Sequence, residues 1–238
     1  MLALKLSTGT VILDGPERPL VIKSTVSEYN KNHGEDGKFA TGGKGGVPHT
    51  ELSDDMKTLG GTAEDLWDGY GEDRENYMDA LQDLRNRYAK EQGFSYDEEF
   101  AGNFNVRQWQ IESSGRFGND LKLAIKDRDP GAMFEQNFAR DFLDANGKKT
   151  VTLYRGLKEA QSKSVSGSLQ LPANVESWTD SKERAKGFSP NGVVVSATFK
   201  SSQIHSTWMT NKLLFNSTER EYIVVTKKAT SVEIVEDK

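Results

Sequence analysis

Two glutamates one residue apart, Glu219 and Glu221, stand at the head of the apolar run Tyr222-Ile223-Val224-Val225. Side chains alternate along a strand, so a strand through these residues carries Glu219, Glu221, Ile223 and Val225 on one face and Arg220, Tyr222 and Val224 on the other. The run is apolar on both faces beyond Glu221, which predicts a strand buried at its C-terminal end with two carboxylates where it emerges. Neighbouring carboxylates resist ionising together and are costly to desolvate. Such a pair is either solvated at a sheet edge or kept for chemistry. Two other β-type runs carry polar groups. Leu153-Tyr154-Arg155-Gly156-Leu157 brings an arginine, whose planar donor fork is always charged and can hold two acceptor oxygens, and Asn174-Val175-Glu176-Ser177-Trp178-Thr179 brings two hydroxyls. Taken singly, Arg155 reads as a salt-bridging arginine and Ser177 as part of an ordinary strand and turn.

The elements that must position these groups follow from the pattern of the chain. Its 238 residues are enough for one large domain with an appendage, and a net charge of −5 with a mean hydropathy of −0.68 argues against a membrane span or a dedicated nucleic-acid surface. There is no cysteine, and His33, His49 and His205 lack metal-ligand spacing, so neither disulfides nor a metal site is expected. Met1 to Leu6 is too short for a signal-peptide h-region, and no secretion signal is read. Residues 1–29 read as a β arm, with strands at Val11-Ile12-Leu13 and Leu20-Val21-Ile22 around Asp14-Gly15-Pro16. Residues 30–50 read as a glycine-rich linker; Gly43-Lys44 lacks the spacing of a phosphate-binding loop. Residues 51–147 read as a helical lobe. In it, Thr62 with Asp65 looks like a cap opening a short helix, Glu72 to Glu91 carries an apolar face, the stretch Val106 to Lys126 breaks near Ser114-Gly115, and Asp129-Pro130 opens a helix stopped by Gly147. Residues 148–238 read as a β-rich lobe with runs at Val151–Tyr154, Val175–Trp178, Val193–Phe199, Tyr222–Val225 and Val232–Val235, and a short helix at Ser181–Phe188. Helices first and strands later make an α+β fold with a mixed or antiparallel sheet. No Gly-x-Gly-x-x-Gly follows a strand, so a nucleotide would not be held in the Rossmann manner.

The ordered set Tyr154-Arg155-Gly156, then Ser177-Trp178-Thr179, then Glu219-Arg220-Glu221 resembles the Arg-Ser-Glu pattern of toxin-type mono-ADP-ribosyltransferases, in particular the exoenzyme domains of binary clostridial toxins and their phage relatives. The resemblance covers about residues 60 to 238 and implies a helical lobe packed on two crossed sheets with NAD between them. It implies that Arg155 contacts the NAD phosphates and ribose, that Gly156 bonds the carboxamide, that Ser177 orders the catalytic glutamate, and that Asn174 and Phe188 line the cofactor. Glu221 would hold the ribose 2′-hydroxyl and stabilise the cation formed as nicotinamide leaves, and Glu219 would prepare an arginine acceptor. The chain departs from the pattern at Trp178, between two hydroxyls, and at Asn191, where relatives carry an arginine that Lys186 or Arg184 would replace. Trp208 and Phe215 read either as target contacts or as a strand-closing apolar patch.

The expected activity is therefore transfer of ADP-ribose from NAD to a host or competitor protein. Two alternatives stand beside it: an NAD glycohydrolase, and a catalytically silent virion or binding module. The segment Asn30 to Pro48 resembles an Asn-His-Gly-x-x-Gly-Lys/Arg-Phe motif of phage head-associated proteins, which makes phage virion proteins expected partners and a host cytoplasm reached with the virion the expected location.

Overall fold

The computed structural model describes residues 10–13, 20–23, 50–66, 72–111, 113, 116–158, 170–189, 192–215 and 219–236. The chain forms two compact units, Met1–Gly46 and Val47–Lys238. In the first, β1 (Thr10–Leu13) and β2 (Leu20–Lys23) pair antiparallel with Val11 opposite Ile22, the hairpin expected from the two β-branched runs. The glycine-rich segment and its phage-type motif lie outside the described residues.

The second unit opens with five helices. Among them, α1 (Thr50–Leu66) buries Leu52, Met56 and Ala63, and α2 (Glu72–Gln92) buries Tyr77, Leu81, Leu84 and Tyr88 at helical spacing. Thr62 and Asp65 do not open a helix: both lie inside α1, where the Thr62 hydroxyl donates back to the Thr58 carbonyl at 2.9 Å. The helix runs through Gly60 and Gly61 and packs along α2. Helix α3 (Tyr96–Ile111) starts ten residues before the periodic stretch that the sequence made visible. A Ser95–Glu98 capping box opens it, with Glu98 N–H donating to Ser95 Oγ at 3.2 Å and Ser95 N–H to Glu98 Oε2 at 2.7 Å. Helix α4 (Arg116–Asp127) follows the expected break.

Helix α5 (Pro130–Ala145) is capped by Asp129, whose carboxylate accepts from the Gly131 and Ala132 N–H groups, and the chain leaves it through Gly147 at φ +72°. It packs on α1, α2, α3 and α4 and also on the sheet, which explains its buried stripe Phe134, Phe138 and Phe142. The stripe is core, as its spacing predicts. Gly102 on α3 meets Gly131 at the start of α5 so closely that a Cβ on Gly102 would lie 2.6 Å from the Gly131 carbonyl oxygen.

The β-rich half is one six-stranded antiparallel order, β10-β6-β3-β5-β8-β7, with a separate two-stranded β4-β9 sheet. Its strands are β3 (Thr150–Leu157), β4 (Gln170–Leu171), β5 (Val175–Thr179), β6 (Val193–Lys200), β7 (Ile204–Thr207), β8 (Glu221–Val225), β9 (Thr230–Ser231) and β10 (Glu233–Glu236). The expected α+β class and antiparallel sheet are both present. In place of two crossed sheets there is this single order, but it is almost divided: β3 pairs with β6 along its whole length, whereas β3 and β5 share only the pair Tyr154–Thr179. The six strands thus fall into two three-stranded halves joined at the Tyr154–Thr179 pair, next to Arg155 and two residues from Ser177. Strand β7, Ile-His-Ser-Thr, has no apolar alternation; it is a strand because it pairs with β8, and all four of its residues are buried, with α5 packed against it.

Candidate active site

Strands β5 and β8 pair with Thr179 opposite Glu221 and Ser177 opposite Ile223, which makes Ser177 and Glu221 diagonal neighbours on one face. Ser177 Oγ donates a short hydrogen bond to Glu221 Oε1. A third group completes the cluster. The Trp109 indole N–H, at the C-terminal end of α3, is shared between Ser177 Oγ at 2.9 Å and Glu221 Oε1 at 3.1 Å. Glu221 is only 5% exposed, and burial pushes its carboxyl above the ordinary value. The hydrogen bond from Ser177 opposes that rise, the Glu219 charge adds to it, and hydrogen bonds from Trp109 and Gln110 oppose it. The result is a carboxyl held in one orientation by donors and kept from water, the arrangement in which a charge acts most strongly on a cation formed beside it.

Glu219 is not on the strand. Strand β8 starts at Glu221, and Arg220 before it takes a left-handed φ of +50°, which breaks the alternation that would have aligned the two glutamates. Arg220 is locked in that place. Its guanidinium holds Asp180 by two bonds at 2.7 and 2.9 Å and Glu64 at 2.6 Å, and lies 4.3 Å from the centroid of the Trp208 ring. The Thr179 hydroxyl donates to the Glu219 carbonyl at 2.8 Å and ties the turn to the end of β5. Glu219 is left exposed at the surface while Glu221 points inward.

Arg155 belongs to a different cluster. It forms an ion pair with Glu176, and Asn174 Nδ2 donates to the same carboxylate at 2.9 Å. Glu176 precedes Ser177 and so faces the other side of β5. The bland expectation for Arg155, a salt-bridging arginine, describes what it does in this state. Gly156 is required by packing: a Cβ there would lie 2.2 Å from the Ala185 carbonyl of α6 (Lys182–Gly187). Phe188, which ends that helix beside Gly156, presents a 48% exposed ring. Asn191 lies outside the described residues, and Lys186 is paired with Glu183 at 3.1 Å.

Trp208 and Phe215 are fully buried, so they close the strand region and do not reach a target. Phe215, at the end of α7 (Lys212–Phe215), stacks between Tyr77 and Trp208 at centroid distances of 4.6 and 6.0 Å. Trp178 likewise packs edge-on against Phe199 at 4.8 Å on the face away from Ser177. Sequence reasoning missed Trp109, which falls in the apolar pattern of its helix; its flanking Gln108 and Gln110 are the sign that this part of α3 faces polar groups. It also missed Glu176. Among the described residues no group of three or more His, Asp or Glu side chains is placed to hold a metal ion, and no helix is long and apolar enough to cross a membrane. Compared with protein-family models, with curated proteins and with solved structures, the chain matches none.

Proposed function

We propose that the protein is an NAD-dependent mono-ADP-ribosyltransferase that moves ADP-ribose from NAD to a protein arginine and releases nicotinamide. The observation that carries this reading is the Ser177–Glu221 pair: a hydroxyl donating to a buried carboxylate on the neighbouring strand, in the order and spacing of the Arg-Ser-Glu pattern. In the proposed reaction the bond between ribose C1 and nicotinamide breaks, its electron pair leaves with the neutral base, and the ribosyl cation is stabilised by the Glu221 carboxylate. An acceptor guanidinium nitrogen then bonds to C1 and loses its proton to Glu219, whose exposed position suits a group that meets another protein. Arg155 and Asn174 would turn from Glu176 to the NAD phosphates, and the exposed Phe188 ring would cover the cofactor.

A second reading, a catalytically silent binding module, has its own support: Arg155 is engaged by Glu176 and Glu221 is covered by Trp109. Incubation with labelled NAD and bacterial lysate separates the two. The transferase reading predicts label on protein arginines by mass spectrometry. It also predicts that Glu219→Gln loses arginine modification while keeping most of the nicotinamide release to water. If both activities fall together, Glu219 serves cleavage; if wild type releases nicotinamide but labels no protein, it is a glycohydrolase.

A further inference from the structure

A cavity of about 1080 Å³ lies between α4, α5, the end of β6 and the turn after β8. It includes Val225, at the opposite end of β8 from Glu221 and so about 13 Å along the strand from the candidate site. Lys122, Lys126 and Arg128 border it from α4 and its C-terminus, and Lys227 and Lys228 from the turn after β8. No described residue lining it is acidic, and none of these five cations is ion-paired to a described carboxylate, in a chain of net charge −5; the Lys122 ammonium lies 5.9 Å from the centroid of the Trp109 ring. Like charges gathered around one cavity repel each other, so the arrangement costs free energy until an anion enters.

Arg128 adds an independent sign. It occupies the left-handed position that closes α4, with φ +57°, its N–H bonded to the Ile125 carbonyl at 3.3 Å and the next N–H, Asp129, to the Ala124 carbonyl at 2.8 Å. Glycine is the favoured residue there, and an arginine is held at a cost that aims one more cation at the cavity. The rest of the lining includes the amides and hydroxyls of Asn137, Gln203, Ser202 and Thr198, which add neutral hydrogen-bonding groups. The aromatic in the lining, Phe199, is buried at 1% exposure and offers no stacking surface to a nucleic-acid base.

We propose that this cavity is a binding site for a polyphosphate chain, a small ligand with several consecutive phosphates. Four of the five cations are lysines, strongly hydrated point charges that suit phosphate oxygens, and the volume is that of a small-molecule site. The proposal does not rest on the transferase reading, although Lys122 adjoins Trp109 of the candidate active site.

Calorimetry of the full chain with inorganic tripolyphosphate tests it. The expected result is one saturable site whose affinity falls as salt rises from about 0.05 to about 0.5 M. The variants Lys126→Ala and Lys227→Ala/Lys228→Ala should each weaken binding, the pair by about tenfold or more, with circular dichroism unchanged. Arg128→Gly is the sharper variant, since it should weaken binding while raising Tm. Absence of saturable binding, affinity unchanged in both lysine variants, or tighter binding of polyglutamate or of a single-stranded oligonucleotide at equal charge would overturn the proposal. Displacement of tripolyphosphate by NAD would also overturn it, by assigning the cavity to the nucleotide site.

Discussion

Glu221 is the residue at which stability and the proposed chemistry pull in opposite directions. Burial raises its folded-state pKa above the ordinary 4.5, so the folded protein holds that proton more tightly than the unfolded chain does. Stability from this group is therefore full below the ordinary pKa and is lost as pH rises through the folded value. Glu221→Gln keeps an acceptor for Ser177 and Trp109 but carries no charge to desolvate. Its Tm should exceed that of wild type at pH 8, with the difference vanishing near pH 4; an equal or lower Tm at pH 8 means the carboxylate is not a strained group. Activity should show the reverse sign, with NAD cleavage rising with pH at a midpoint above 4.5 as the carboxyl ionises. The Ser177–Glu221 pairing is expected from the resemblance alone; the residues by themselves read as an ordinary strand and turn, because alternation gives the faces of each strand but not which strands pair or in what register. The place of Glu219 was not legible, since the left-handed Arg220 that ends the alternation is held by Asp180, Glu64 and Trp208, partners 12 to 156 residues away in the chain.

At the scale of elements, the site depends on where α3 lies, because α3 brings Trp109 to Glu221. That position is set by the close crossing of α3 on α5 at Gly102 and Gly131, beside Glu135. Glu135 in turn is part of a buried network. Arg85 on α2 bonds Glu135 and Glu99, the latter at 2.7 Å, and donates to the Thr210 carbonyl at 2.8 Å, so that α2, α3, α5 and the segment after β7 meet at one guanidinium. Burial works against the Arg85 charge, and the two carboxylates more than offset it. Gly102→Ala would drive a methyl against the Gly131 carbonyl and the Glu135 side chain. It should lower stability by about 1 to 3 kcal/mol in urea unfolding. A neutral result would mean that the crossing is loose and Trp109 is not positioned by it. Helices α2, α4 and α5 were legible from their periodicity and caps; α3 was cut short and α1 misdivided. Gly60, Gly61 and Gly102 lower helix propensity locally, and packing of α1 on α2 and of α3 on α5 offsets that.

For the whole molecule, acid stability offers a test of how the helices close on the sheet. His205 on β7, beneath α5, is fully buried and neither ring nitrogen has a partner among the described residues, so burial lowers its pKa to about 4. Its stability contribution is full above the unfolded value of 6.5 and is lost as pH falls toward 4. Between pH 7 and pH 5 this one group should remove about 2 kcal/mol of unfolding free energy. His205→Met should flatten the curve by that amount, and an unchanged slope would place water at the ring. The central claim concerns chemistry and is tested most directly by nicotinamide release from NAD, measured side by side for wild type and Glu221→Gln. Wild type should release nicotinamide, and Glu221→Gln should be slower by about 10² to 10³-fold, equivalent to about 3 to 4 kcal/mol of lost transition-state stabilisation, while its Tm at pH 8 is higher. No release by wild type, or equal release by both proteins, would contradict the account.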